Sequence, residues 1–223
     1  MADDGTIFQA IREHLFTAVI GDILDVAGLH HQFLPPAIRP LQRTGMLIGR
    51  AMPVLEADCS GDTAEGRPFA FGLMFRALDD LRPGEVYLAT GGTPRYALWG
   101  GLMSTRAGKL GAVGAVVDGF HRDTREIEKL GFPVFSHGAY AQDQRLRGRV
   151  IDFRCPVEFA NAVTVHPADV VVGDVDGVVV IPRQHLEDVV AKALAKVRGE
   201  AMVRGRIVAG EATEAIFEQT GIM

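Results

Sequence analysis

A short apolar run that stops abruptly on polar residues is the feature that most constrains this chain. Residues 112–117 are apolar or small, as is typical of a buried strand, and Asp118-Gly119 ends the run. His121, Arg122 and Asp123 follow at once. Loops at the ends of buried strands often carry functional residues, because the strand is rigid while the loop can vary. The pattern therefore predicts a site directly after this strand.

The neighbouring Arg122 and Asp123 place a fixed cation beside an anion. Arg122 could bind a carboxylate, and Asp123 could hold a hard metal ion. The alternative interpretation is a surface ion pair, or a helix cap in which Asp123 begins a helix over residues 124–130. The spacing of the residues leaves both interpretations open.

A glycine pair precedes this region. Residues 86–90 read as a strand that ends at Gly91-Gly92, and residues 96–110 then read as a helix. The start of such a helix offers free backbone N–H groups to an anion. Its glycines at 100, 101 and 108 cost helix stability, so they indicate close approach of another element or of a ligand.

The remaining pattern predicts alternating helices and strands. Helices are expected over residues 7–15, 18–26 with Thr17 as N-cap, 69–78, 183–206 and 214–219. Strands are expected over 46–55, 131–137, 149–153 and 162–165, and two apolar runs within 167–182 predict a hairpin around Asp176-Gly177. Residues 56–68 read as a loop.

Composition excludes several classes of protein. The 223 residues carry a net charge of −5 and no basic block, so binding to nucleic acid is not expected. No apolar run approaches the roughly 20 residues of a membrane span, and the acidic N-terminus does not resemble a secretory signal. Cys59 and Cys155 show no metal-ligand spacing. The expectation is a cytoplasmic protein with no membrane partner.

Five motifs in this order resemble the RraA-like family, over nearly the whole chain. That family includes 4-hydroxy-4-methyl-2-oxoglutarate / 4-carboxy-4-hydroxy-2-oxoadipate aldolases and the regulator of ribonuclease activity A. The motifs are Trp99-Gly-Gly-Leu-Met-Ser-Thr-Arg-Ala107, Gly114-Ala-Val-Val-Asp-Gly119, Arg122-Asp123, Gly131-Phe-Pro-Val-Phe135 and Gly173-Asp-Val-Asp-Gly-Val-Val-Val-Ile-Pro182.

The resemblance implies an α/β fold, a β/β/α sandwich of the swivelling phosphohistidine type. It also implies a single domain over residues 1–223, with N-terminal helices and a C-terminal helical tail. The expected assembly is a homotrimer or homohexamer with sites between subunits, and the expected cofactor is Mg²⁺ or Mn²⁺.

By the same resemblance, Asp123 would hold the metal, largely through waters. Arg122 would bind the pyruvate carboxylate and stabilise the enolate. Substrate oxygens would meet the backbone N–H groups of Gly100, Gly101, Leu102 and Met103. An acid from a neighbouring subunit is expected to support the metal as well, and the candidates are Glu200, Glu211 and Glu214.

One position departs from the aldolase pattern. The aldolases carry an acid in the Gly-acid-Leu step, and here that position is Gly101. Retro-aldol cleavage needs a base for the hydroxyl proton, whereas decarboxylation of a β-keto acid does not. His121 and His137 are possible replacement proton carriers, with His121 preferred because it adjoins Arg122.

The predicted function is a metal-dependent carbon–carbon lyase acting on a 2-oxo dicarboxylate. It would decarboxylate oxaloacetate or release pyruvate by retro-aldol cleavage through an enolate. Two alternatives remain open. One is a non-catalytic regulator that binds a ribonuclease or another protein, and the other is a lyase on a different oxo-acid or sugar acid.

Overall fold

The structure is a computed structural model that describes residues 4–43, 45–59 and 70–222. Its helices are α1 (Asp4–His14), α2 (Thr17–Val26), α3 (Met74–Asp79), α4 (Gly101–Lys109), α5 (Thr124–Leu130), α6 (Leu186–Val208) and α7 (Thr213–Thr220), with a 3₁₀ helix over Arg183–His185. Its strands are β1 (Arg39–Pro40), β2 (Leu47–Asp58), β3 (Glu85–Thr90), β4 (Ala97–Trp99), β5 (Gly114–Val117), β6 (Phe120–His121), β7 (Val134–Ser136), β8 (Gly148–Phe153), β9 (Val157–Glu158), β10 (Thr164–Val165), β11 (Val170–Asp174) and β12 (Gly177–Ile181).

One eight-stranded sheet organises the fold. Its order is β1-β7-β5-β3-β2-β11-β12, and β8 pairs with the far half of the long strand β2. Strands β2, β3, β5 and β7 are parallel neighbours. The edges approach each other, because Leu34 donates to the Val178 carbonyl and Arg39 of β1 donates to the Asp176 carbonyl. The sheet therefore nearly closes into a barrel, and the predicted mixed α/β class is confirmed.

Burial explains the continuous apolar runs in the sequence. All residues of β3, β5 and β11 are buried, as expected for strands covered on both faces. Helices α1, α2 and α6 share one apolar core with β11 and β12, and α3, α4 and α5 contribute to another with β3 and β5. Within the described residues, no helix is long and apolar enough to cross a membrane.

The helix predicted over residues 96–110 is wrong at its start. Ala97–Trp99 form strand β4, which pairs in parallel with β6, and the helix begins only at Gly101. Gly100 between them is extended, with φ −156° and ψ 179°. The three apolar residues of β4 are buried, and strand pairing here overrides the local helical pattern.

Other boundaries also shift. Glu56 to Asp58 were expected in a loop but continue strand β2 alongside β8, and residues 60–69 lie outside the described residues. The helix expected over 69–78 is the shorter α3. Thr17 is the first residue of α2 rather than its N-cap, because its N–H and hydroxyl both donate to Asp174. The hairpin of β11 and β12 is confirmed.

Candidate active site

Two helix N-termini meet beside the small sheet of β4 and β6. Each of these strands leads directly into a helix, β4 into α4 and β6 into α5. The Arg122 N–H donates to the Trp99 carbonyl at 2.9 Å. The Gly101 N–H donates to Oδ2 of Asp123 at 3.0 Å. Parallel pairing thus places the Arg122-Asp123 pair against the first turn of α4.

Asp123 adopts an uncommon backbone conformation. Its φ of +61° and ψ of 35° lie in the left-handed region, which costs a non-glycine residue on the order of 1–3 kcal/mol, and somewhat less for aspartate. The residue occupies the N-cap position of α5, but its side chain makes no capping hydrogen bond there. The carboxylate instead accepts from the Gly101 N–H at the start of α4. Asp123 is therefore the N-cap residue of α5, as the helix-cap interpretation predicts, but its side chain does not cap that helix.

Glycine at positions 100 and 101 permits this approach. A Cβ on Gly100 would lie 2.9 Å from Oδ2 of Asp123. A Cβ on Gly101 would lie 3.2 Å from the Cβ atoms of both Asp123 and Glu126. Any side chain at Gly101 therefore requires a small shift of Asp123 or of α5. The absence of an acidic side chain at position 101 is therefore what allows Asp123 to lie this close to the start of α4.

Arg122 lies between two carboxylates. Its Nε is 3.9 Å from Oδ2 of Asp123, and its Nη1 is 3.5 Å from Oδ1 of Asp143. The loop after β7 brings Asp143 here, because the Ala97 N–H donates to the Gln142 carbonyl at 2.8 Å. The Arg122 side chain is 39% exposed, so its guanidinium can still reach a ligand. Sequence reasoning missed Asp143, because a lone acid in a long loop has no distinguishing pattern.

A cleft of about 260 Å³ lies over this pair. Five of the predicted site residues line it, namely Gly100, Leu102, Met103, Arg122 and Asp123. The first turn of a helix leaves N–H groups without partners inside the helix. Because the Gly101 N–H already donates to Asp123, Leu102 and Met103 are the residues whose N–H groups suit a substrate oxygen.

His121 lies beneath the cleft rather than in its lining. Its side chain is buried, with Nδ1 2.7 Å from Ser136 Oγ and Nε2 3.1 Å from Thr124 Oγ1. Burial lowers the pKa of this imidazole, which favours the neutral ring. Proton transfer by His121 stays a prediction, and the geometry favours a positioning role behind Arg122. His137 lies elsewhere, paired with Asp118 at 3.0 Å.

A buried carboxyl group supports Gln144, the cleft residue that follows Asp143 in sequence. Gln144, which lines the cleft, donates from Nε2 to Oε2 of Glu56 at 3.0 Å. Glu56 is 2% exposed, and burial raises the pKa of its carboxyl group to about 8. The sequence pattern had placed Glu56 in a loop, so this support was not predicted.

We expect Glu56→Gln to stabilise the protein increasingly as pH rises. Between the ordinary value of 4.5 and about 8, the folded wild type keeps a proton on Glu56 that the unfolded chain has lost. The free energy of unfolding of wild type therefore falls with pH, by up to about 1.4 kcal/mol per pH unit. Glutamine removes this term while keeping an oxygen for Gln144. Urea unfolding at about pH 5 and pH 8 measures the difference, with the exposed Glu187→Gln as control. If the free energy of unfolding of Glu56→Gln changes with pH as steeply as that of wild type, the buried Glu56 is not the group that binds the proton.

The donor set fits a hydrated magnesium or manganese ion. Among the described residues, no group of three or more histidine, cysteine, aspartate or glutamate side chains could enclose a metal. Mg²⁺ commonly binds through one or two carboxylates and keeps several waters. Asp123, whose side chain is 45% exposed beside the cleft, suits that mode.

Two of the three candidate acids of the C-terminal region have partners within their own chain. Glu200 lies 3.1 Å from Lys196, and Glu211 forms an ion pair with Arg206 at 2.6 Å. Glu214 lies in the first turn of α7. None of the three lines the cleft over Arg122.

Comparison with known proteins identifies relatives of this chain. DlpA of Legionella pneumophila is 29% identical over 89% of this chain, and the chain spans only 31% of DlpA. A Halalkalibacterium halodurans protein named "Putative 4-hydroxy-4-methyl-2-oxoglutarate aldolase" is 34% identical over 81% of this chain and 79% of its own length.

Structural comparison agrees with the sequence relatives. The crystal structure of Streptomyces coelicolor RraAS2, titled an unusual member of the RNase ES inhibitor RraA protein family, matches with a TM-score of 0.78. The match covers 92% of this chain and 98% of that one, at 23% identity, and shows a shared fold. A family model described as RraA-like, Aldolase/RraA, matches residues 17–180. The chain therefore belongs to the RraA-like family.

Proposed function

We propose that this protein is a lyase that uses Mg²⁺ or Mn²⁺ to release pyruvate from a 2-oxo acid. The observation that carries the proposal is the position of Arg122 and Asp123 against the N-terminus of α4, where both line the cleft. The H. halodurans relative, named for an aldolase activity, supports the same reaction class.

Each residue has a proposed role. The guanidinium of Arg122 binds the carboxylate of the 2-oxo acid, for which its planar fork of donors is suited. The N–H groups of Leu102 and Met103 orient the substrate's oxygens at the positive end of α4. Asp123 holds the metal ion, which when bound supplies Lewis-acid polarisation of the 2-oxo group.

Retro-aldol cleavage also needs a group that accepts the hydroxyl proton, and Gly101 offers none. Among the described residues that line the cleft, Asp143 carries the other carboxylate, 3.5 Å from Arg122. We therefore assign the proton to an oxygen of Asp143 in cleavage of 4-hydroxy-2-oxo acids. Decarboxylation of oxaloacetate makes no such demand, because carbon dioxide leaves without a proton.

The test is the release of pyruvate from oxaloacetate and from 4-hydroxy-4-methyl-2-oxoglutarate, with Mg²⁺ and with a chelator. The proposal predicts turnover of at least one substrate, lost in the chelator. If the purified protein with Mg²⁺ or Mn²⁺ turns over neither of these two substrates nor any other 4-hydroxy-2-oxo acid, the proposed lyase function is wrong. A non-catalytic regulator of the kind named by the RraAS2 title would then be the better proposal.

Asp143→Asn should separate the two reactions. We expect aldol cleavage to fall by about 10²-fold or more, the usual contribution of a general base, while oxaloacetate decarboxylation changes only slightly. Because both reactions use Arg122, any loosening of the guanidinium would slow them together. The ratio of the two rates is therefore the measurement, and an unchanged ratio would contradict the role of Asp143.

A further inference from the structure

Most of the cleft wall is apolar, although the lyase chemistry needs only its polar end. Helices α3 and α4 and the segment before α3 supply this wall. We call it the apolar wall, and its side chains are Phe71, Met74, Phe75, Leu78, Leu102 and Met103. Arg122, Asp123, Asp143 and Gln144 lie on other elements around the cleft, so its lining consists of an apolar set and a polar set of side chains.

The charges of the cleft do not suit a second carboxylate on the substrate. Among the described residues that line it, Arg122 is the one cation, and Asp123 and Asp143 are both anions. Once Arg122 binds the carboxylate of the 2-oxo acid, a distal carboxylate would face the apolar wall with no cationic partner among the described residues that line the cleft. Burying an unpaired charge is strongly unfavourable.

Two side chains of the apolar wall are largely exposed, whereas two others belong to the core. Met74 and Leu78 are each 7% exposed and belong to the core. In contrast, Phe75 is 56% exposed and Leu102 is 86% exposed. The Phe75 ring packs edge-on against Phe71, with centroids 5.5 Å apart. These two side chains therefore offer apolar surface toward an occupant of the cleft.

We propose that the substrate is a 4-hydroxy-2-oxo acid whose distal half is an alkyl or aryl group, and that Phe75 and Leu102 select it. This inference rests on the proposed lyase function. Burial of such a group contributes roughly 25 cal/mol per Å² of apolar surface, which a carboxylate cannot gain. A cleft of about 260 Å³ suits a compact ligand.

The reaction balances without a further reactant. The C3–C4 bond breaks, and its electron pair remains on the pyruvate half as the enolate. The 4-hydroxyl proton passes to Asp143, and C4 with its alkyl or aryl group leaves as an aldehyde or ketone. A proton then adds to C3 to give pyruvate, so the substrate yields pyruvate and one carbonyl compound.

Binding of two uncleavable 2-oxo acids tests this selection independently of turnover. Calorimetry with Mg²⁺ would compare 2-oxo-4-phenylbutanoate with 2-oxoglutarate, which carries a distal carboxylate. We expect the phenyl compound to bind at least about tenfold more tightly, a difference of about 1.4 kcal/mol. Equal affinity, a preference for 2-oxoglutarate, or no binding of either would overturn the inference. Exchange of the methyl protons of pyruvate in D₂O, measured in parallel, reports separately on the proposed function, because pyruvate has no distal half.

Two variants and one control locate the selection. Phe75→Ser should weaken binding of the phenyl compound several-fold and leave 2-oxoglutarate nearly unchanged. Leu102→Ser, at a residue whose N–H group also meets the substrate, should weaken binding of the phenyl compound more than binding of 2-oxoglutarate. Val208→Ser removes an equally exposed apolar side chain from α6, outside the cleft, and should alter neither affinity. The alternative occupant of the apolar wall is a second copy of this chain. Light scattering tests this alternative by measuring the molecular mass of wild type and variants in solution. If the Phe75 or Leu102 variant has a lower molecular mass in solution than wild type and loses affinity for both ligands equally, the apolar wall is a subunit interface and the inference is overturned.

Discussion

Asp123→Asn is expected to reduce pyruvate release by about 10³-fold or more with every substrate, since Lewis-acid stabilisation contributes several kcal/mol and about 1.4 kcal/mol is tenfold in rate. Asparagine keeps the size of the side chain and tolerates the left-handed backbone at this position, so folding should be preserved. It also keeps an oxygen for the Gly101 N–H. The lost property is the negative charge that holds the metal ion.

Two comparisons make this result specific. Asp188→Asn changes an exposed aspartate on α6, paired with Lys192, and should leave the rate unchanged. Calorimetric titration with Mn²⁺ should detect an ion bound to wild type and to Asp188→Asn but not to Asp123→Asn. Full activity in Asp123→Asn, or equal metal affinity, would contradict the role of Asp123.

Arg122→Lys is expected to lower kcat/KM by roughly 10- to 100-fold, because a hydrogen bond to a charged group contributes about 1.5–3 kcal/mol and lysine cannot bind a carboxylate with two parallel donors. Lysine keeps the positive charge between Asp123 and Asp143. The loss therefore reports on the planar guanidinium rather than on net charge. Steady-state kinetics with oxaloacetate measures it.

Arg106→Lys is the matched control for this change. Arg106 lies in the last turn of α4, and its Nε is 2.8 Å from Asp79 at the surface. Its replacement should leave kcat/KM within about twofold, as expected for an exposed ion pair. If Arg122→Lys behaves like Arg106→Lys, the carboxylate of the substrate binds elsewhere.

Much of the fold could be predicted because the signal is local. Strands β3, β5 and β11 are buried on both faces and read as apolar runs, and the turn between β11 and β12 contains Asp176-Gly177. Strand β4 could not be predicted in this way. Its three residues become a strand only because β6 lies beside them, a partner more than twenty residues away.

The candidate site divides along the same line. Arg122 and Asp123 stand together in the sequence after a recognisable strand, so the pair could be predicted. Asp143 and Glu56 could not, because each reaches the cleft region through long-range pairing. Asp143 arrives with a loop held against β4, and Glu56 lies on β2 and contacts Gln144 across 88 positions of sequence.

Exchange of the methyl protons of pyruvate in D₂O tests the central claim most directly. Exchange requires formation of the pyruvate enolate in this cleft, and it does not depend on knowing which carbonyl compound the natural substrate releases. NMR would follow loss of the methyl signal with wild type, Asp123→Asn and Arg122→Lys, each with Mg²⁺. The account predicts exchange well above the protein-free rate in wild type, none in Asp123→Asn and slower exchange in Arg122→Lys. Exchange at the protein-free rate in wild type, or at equal rates in all three, would contradict it.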